Sequence, residues 1–478
     1  MLDQLLAKKK DFSEYDSGDG PSLKRTLGPW GLTALGIGAV IGGGIFVITG
    51  TAAAEHAGPA IILSFIIAAI CCSFTALCYA EFATLIPMSG SSYSYAYATL
   101  GELVAWFIGW NMVLEYGVSA SAVAVSWTGY FTSLLEHFGI VLPAALTNAP
   151  LAFQDNHIVA TGAWFNLPAV AIVLALTWLC YVGIRESSGA NLAMVILKVG
   201  LIVIVIVAGW HYVNPDLWHP LVPENQGGDK YGWSGVLRAA AMVFFAYIGF
   251  EATSTAAQEA KNPQRDLPIG TITSLAVCTI LYIGMAAVLT GLLPFGQLGT
   301  SEPVVTAVRA HPQLAWLRIV VEIGALIGLS SVILVMVIAQ PRIFMIMGRD
   351  GLLPPVFAKI HPRYCTPHIN TVITGIGIAA LAAVFPLDVL GDLVSMGTLI
   401  AFCAVCAGVW ILRRTQPDAP RTFRVPWAPV TCTLGIASCL LLLSTMSWYN
   451  WTLLVIWTVI GMAIYAGYGY RNSKLRKR

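Results

Sequence analysis

The sequence predicts an all-α, polytopic membrane protein of twelve transmembrane helices, and three observations carry that reading. Of 478 residues, 57% are hydrophobic and only 10% charged, where a soluble domain carries about 25% charged residues. Apolar runs recur along the whole chain at about the 20 residues that a hydrocarbon core roughly 30 Å thick requires. Basic residues fall almost wholly in alternate gaps between those runs. The runs are continuous rather than ten-residue alternations, which excludes a transmembrane barrel. An aromatic content of 11% excludes a disordered chain. With a net charge of +2 there is no bulk field to favour nucleic acid, so the surroundings implied are a lipid bilayer.

The spans are read, in order, at 31–51, 59–79, 103–131, 166–184, 192–213, 236–256, 269–293, 319–340, 370–387, 393–412, 427–446 and 450–470. Gly58-Pro59 separates the first two, and Pro87, Pro215, Pro263, Pro354-Pro355, Pro362 and Pro417 punctuate later gaps. The run at 103–131 exceeds a bilayer's need and is expected to tilt or protrude. Ahead of the first span, residues 1–28 are polar, carry Lys8-Lys9-Lys10, and lack a cleavable signal pattern, so the first span is expected to serve as the insertion signal. The gaps on the N-terminal side, with the basic tail 471–478, hold 21 Lys and Arg residues; the opposite side holds Lys230, Arg238, Arg309 and Arg318. That asymmetry supports an even span count and places both termini in the cytoplasm. Nine of the ten cysteines lie in apolar stretches, where the thiol acts as a small hydrophobe. Cys403 and Cys406 form a C-x-x-C without a second ligand pair, so no metal site is expected.

Two spans are interrupted near their middles. The first reads Gly36-Ile37-Gly38-Ala39-Val40-Ile41-Gly42-Gly43-Gly44-Ile45-Phe46, and the sixth Phe244-Phe245-Ala246-Tyr247-Ile248-Gly249-Phe250-Glu251. Glycine costs up to about 1 kcal/mol in a helix interior. Matched Gly-interrupted spans in two halves point to a transporter site. Unwinding frees backbone groups that lipid cannot satisfy. A half-helix N-terminus can receive a carboxylate, and freed carbonyls an ammonium. A zwitterionic amino acid fits that pair of dipoles. Close helix packing through the small faces at Gly38 and Gly42 is the competing explanation of the glycines.

Ionisable residues inside spans are expensive and mark function by default. Lys198, within Met194-Val195-Ile196-Leu197-Lys198-Val199, is the one basic residue left inside a span. Snorkelling to the interface is its ordinary role; desolvated, it can gain and lose a proton while substrate moves. Glu115 sits mid-span, Glu81 ends the second span, and Glu251 follows the second interruption. Each carboxylate is as well explained by structural hydrogen bonding as by the pocket. Glu322 and Arg238 are placed near the outer ends of their spans, at the interface.

These motifs together resemble the amino acid–polyamine–organocation (APC) transporter superfamily. The resemblance rests on the glycine signature of the first span, on Tyr79-Ala80-Glu81-Phe82 followed by Pro87-Met88-Ser89-Gly90-Ser91, and on Phe244 to Glu251. Glu259-Ala260-Lys261-Asn262-Pro263 and Arg349-Asp350-Gly351-Leu352 extend it, and Phe423-Arg424-Val425-Pro426 is similar to the cationic amino acid transporter subfamily. It covers about 20–470. The resemblance implies a 5+5 inverted repeat, residues 29–213 (spans one to five) and 233–412 (six to ten), with two extra helices in 427–470. It also implies that Gly42, Gly43 and Gly44 hold the substrate carboxylate. The ammonium would then meet carbonyls around Val40, Ile41, Phe245, Ala246 and Ile248, with Glu115 and Glu251 as further substrate-binding candidates. Lys198 matches the fifth-helix lysine of proton-coupled relatives. Gly43 departs from the Thr or Ser many relatives carry there, and the two further helices of animal members are missing, so the subfamily does not fix a cationic substrate.

The function expected is proton-coupled L-amino acid import across the cytoplasmic membrane by alternating access, with no cofactor and with the proton as coupling ion. The alternative is an amino acid or polyamine exchanger without net proton movement. An intramembrane enzyme using Glu115 and Lys198 would need a nucleophile or metal set that the spans lack, and a sensor would need a signalling domain that the loops are too short to form. The three glycines favour a small neutral side chain such as alanine, whereas Glu115 or Glu251 facing the pocket would recruit Lys or Arg.

Overall fold

The computed structural model describes residues 27–85, 91–154, 157–183, 188–256, 259–364, 366–419 and 421–477. Residues 1–26, Pro87 to Gly90, Arg185 and Arg478, all used above, lie outside the described residues. The longer helices are α1 (Pro29–Val40), α2 (Ile61–Leu85), α3 (Ser91–Thr99), α4 (Glu102–Val113) and α5 (Ser119–His137). They continue with α6 (Leu167–Val182), α7 (Ser188–Trp210), α8 (Gly232–Val243), α9 (Pro263–Leu292) and α10 (Pro303–Arg309). The last five are α11 (Ala315–Arg349), α12 (His368–Val384), α13 (Leu387–Thr415), α14 (Ala428–Ser444) and α15 (Trp448–Ile464). Strand Leu151–Gln154 pairs antiparallel with His157–Ala160 in a small hairpin.

Among the described residues, seven helical runs are long and apolar enough to cross a membrane, and α1, α6, α12 and α14 are shorter apolar helices. One of the seven, Gly44–Leu85, reverses at Gly58, whose φ of +58° is a left-handed conformation that glycine adopts without strain. Trp30, Trp233, Trp316, Trp427 and Trp448 are exposed at or beside helix starts, as expected of side chains that sit at a bilayer interface. The long third run is not a straight helix: a π turn over Leu114–Val118 joins α4 to α5.

Several buried charges are paired. Arg238, on α8, bonds Asp392 of α13 at 2.5 Å, and Asn450 donates to the same carboxylate at 2.5 Å. Glu322 is fully buried and accepts from Arg318 at 2.9 Å and Ser133 at 2.6 Å. Glu322 and Arg238 are buried and paired near the starts of α11 and α8, because a charge in an apolar interior persists only when neutralised and hydrogen-bonded. Glu81 accepts from Arg413 at 3.0 and 2.6 Å, from Arg421 at 3.1 Å and from the Val425 amide at 2.8 Å, which pins the segment after α13 to the end of α2. Cys71 lies 3.6 Å from Cys439 and Cys78 3.8 Å from Cys432, all as free buried thiols.

Candidate substrate site

Both glycine-interrupted segments are broken. After α1, Ile41 is extended (φ −74°, ψ 101°), and helix resumes at Gly44 as a π turn, Gly44–Ile48. After α8 comes a 3-10 turn, Phe244–Tyr247, then extended Ile248 (φ −63°, ψ 133°), and then Gly249 at φ +118°. No residue with a β-carbon adopts that last conformation readily.

The breaks pack on each other through their glycines. A β-carbon on Gly44 would stand 2.3 Å from Ala246 Cα, and one on Gly249 would stand 2.8 Å from the Ala39 carbonyl carbon. Each break thus uses glycine to admit the other's backbone, and the close-packing explanation of these residues holds together with the unwinding one.

Three buried side chains engage the carbonyls so exposed. Lys198 Nζ donates to the Gly38 carbonyl at 2.7 Å and to the Ile41 carbonyl at 3.1 Å. Tyr282, on α9, places its hydroxyl 2.9 Å from the Val40 carbonyl oxygen and 2.8 Å from that of Ala246. Tyr130, on α5, donates to the Phe46 carbonyl at 2.6 Å. Lys198 is 1% exposed, so it does not snorkel; its charge is directed at the first break.

A very small cavity of about 10 Å³, room for about one water molecule, lies at this junction. Of the residues named from the sequence, Val40, Gly42, Gly43, Gly44, Phe245 and Ile248 line it. Ile41 and Ala246 do not line it, although their carbonyls are engaged just behind it by Lys198 and Tyr282. Glu115 and Glu251 are also absent from its lining. They are buried against one another, and Glu251 Oε2 accepts from the Gly249 amide at 3.0 Å, which steadies the second break from outside the cavity. The lining also includes Ser119 and Val123 of α5 and Val332 and Met336 of α11. Sequence reasoning missed these four because nothing separates a wall residue from any other small or apolar residue in a span. Tyr282 carried a usable signal, since a buried phenol in an apolar run needs a hydrogen-bond partner.

Broken helices meeting at a small cavity inside a bundle of membrane-length helices define a membrane carrier. The comparison with known proteins gives the kind of carrier: the chain belongs to the amino acid permease family, whose model matches residues 27–468. It is 47% identical over 480 residues to a branched-chain amino acid permease of Bacillus subtilis (strain 168), covering the whole of both proteins. It is 46% identical to a methylthioribose transporter of the same bacterium, again over both full lengths. A vacuolar cationic amino acid transporter of Arabidopsis thaliana is 38% identical over 419 residues, 87% of this chain and 68% of the plant protein. The chain is thus a multi-pass membrane protein of a family of amino acid transporters.

Proposed function

We propose that this chain imports a neutral L-amino acid together with a proton by alternating access, in a membrane with both termini on the cytoplasmic side. The observation that carries the reading is the cavity between two broken helices, with Lys198 bonded to carbonyls of the first break. The substrate carboxylate would meet the backbone amides where helix resumes at Gly44, and its ammonium the carbonyls of the two breaks. Val123, Val332, Met336 and Phe245 would face the side chain, which favours an aliphatic group over a charged one. A branched-chain permease among the relatives points the same way.

In this reading twelve spans are present and the first ten form two inverted repeats. Helices five spans apart in that order do pack together: α2 on α9, α5 on α11, and α6 on α12. Proton coupling follows from Lys198. Charged, it donates to Gly38 and Ile41 and holds the first break; neutral, it releases part of that hold, so proton and substrate act on one stretch of backbone. A ligand or proton shifts the two access states only by its differential affinity for them.

The test is uptake into proteoliposomes under an imposed pH gradient, after a thermal-shift screen of the twenty L-amino acids has identified the substrate. Concentrative uptake that collapses when the gradient is abolished is expected. Uptake that ignores the gradient but needs internal amino acid would replace the symporter with an exchanger.

A further inference from the structure

α9 packs against both α1 and α2 and sends one polar side chain to the two breaks. Tyr282 is fully buried, with its ring 5.5 Å from that of Phe65 and 5.3 Å from that of Tyr247. Its hydroxyl lies between the Val40 carbonyl of the first break and the Ala246 carbonyl of the second. A phenol carries one proton. It donates to one of these carbonyls at a time and meets the other oxygen to oxygen, so it cannot satisfy both acceptors at once. Two other carbonyls of the breaks are differently placed: Ile41 accepts from Lys198, and Phe245 from the Ile248 amide at 3.2 Å.

We propose that Tyr282 is a positioning residue for the substrate ammonium. Its hydroxyl draws the Val40 and Ala246 carbonyls together across the two breaks, and its single proton leaves one of them to be served by the ammonium. An ammonium has three donors and no acceptor, so it completes what the phenol cannot. The brace also ties α9 to both broken helices, so that the two breaks change conformation as a unit. This assignment rests on the reading of the cavity as an amino acid site and adds to it the residue that sets its preference for an amine.

The test compares purified wild-type protein with Tyr282→Phe, which keeps the ring and removes only the hydroxyl. Calorimetric affinity is measured for L-leucine, and competition for 4-methylpentanoate, the same carboxylate without the amine. Tyr282→Phe should lower the ratio of the two affinities at least tenfold and leave the melting temperature of the unliganded protein within a few degrees. Thr290→Val is the control: its hydroxyl, farther along the same helix, donates to the Ala286 carbonyl at 2.8 Å and touches neither break. It should leave the ratio unchanged. A ratio that is unchanged in Tyr282→Phe, or that falls equally in Thr290→Val, overturns the assignment. Wild-type protein that binds L-leucine no better than 4-methylpentanoate overturns the amino acid reading of the cavity itself, and Tyr282's role falls with it.

Discussion

Gly44→Ala should damage the transporter more than any other single methyl added to the glycine triplet. The new β-carbon would lie 2.3 Å from both Cα and Cβ of Ala246 and 3.0 Å from its amide nitrogen. Carbon atoms settle at about 3.5–4.0 Å, so one break must retreat from the other by more than about 1 Å, and the obstacle is backbone that no rotamer change can move. Overpacking of this kind costs typically about 1–3 kcal/mol. At about 1.4 kcal/mol per factor of ten, loss of that energy from the closed site lowers substrate affinity roughly 5- to 150-fold. The neighbouring positions supply internal controls. At Gly43 the methyl would meet Ser126 Oγ at 2.9 Å, which can rotate away, and at Gly42 it would meet Val332 Cγ2 at 3.2 Å, which needs to yield only a few tenths of an ångström. Calorimetric affinity for the identified substrate, measured on each folded variant, should therefore fall most for Gly44→Ala. A Gly44→Ala protein that binds within threefold of wild type, or a Gly43→Ala protein that binds less well than Gly44→Ala, would refute the reasoning.

Three further outcomes follow from the geometry. Lys198→Ala should abolish accumulation driven by a pH gradient in proteoliposomes while leaving substrate binding measurable; full concentrative uptake by that variant would remove the coupling role. Asp392→Ala should destabilise the fold by about 3–5 kcal/mol, because it leaves Arg238 buried without its carboxylate. Arg238→Met with Asp392→Leu should recover much of that loss in thermal unfolding. Glu302 lies in the loop before α10, where burial pushes its carboxyl above the usual carboxylate range, Glu136 and Glu322 add to the effect, and Ser301 and Arg309 oppose it. An acid raised in the folded state stabilises fully below its unfolded pKa, about 4.3, and loses that contribution as pH rises through the folded value. Melting temperatures should fall over that window in wild-type protein, and Glu302→Gln should flatten the decline.

The breaks were legible because glycine triplets and an isolated mid-span glycine are costly in helices and conspicuous in apolar runs. Lys198 was legible for the same reason: a charge has no cheap place there. Hydropathy says nothing about azimuth, however, so it put Glu115 and Glu251 on their spans without revealing that they face each other behind the second break. The π turn at Leu114–Val118 was invisible because one extra residue per turn leaves the apolar content of a run unchanged. For Glu322 and Arg238 the distance from a span end did not tell that a partner such as Arg318 or Asp392 waits beside each. Ser119, Val123, Val332 and Met336 became recognisable only once the chain was folded, because the shape they enclose, rather than their chemistry, makes them a wall.

The acidic ties at the helix ends also set an order of assembly. Glu81 is synthesised more than three hundred residues before Arg413, and Glu102 still longer before Tyr465, which donates to it at 2.8 Å, and Ser473, its other late partner. During translation Glu102 has Tyr97 beside it from the start, whereas Glu81 gains Arg413, Arg421 and the Val425 amide only after most of the bundle is made. A chain lacking Arg413 to Val425 would leave the buried Glu81 carboxylate without these donors, so the end of α2 is completed by a late segment that contributes no wall to the cavity.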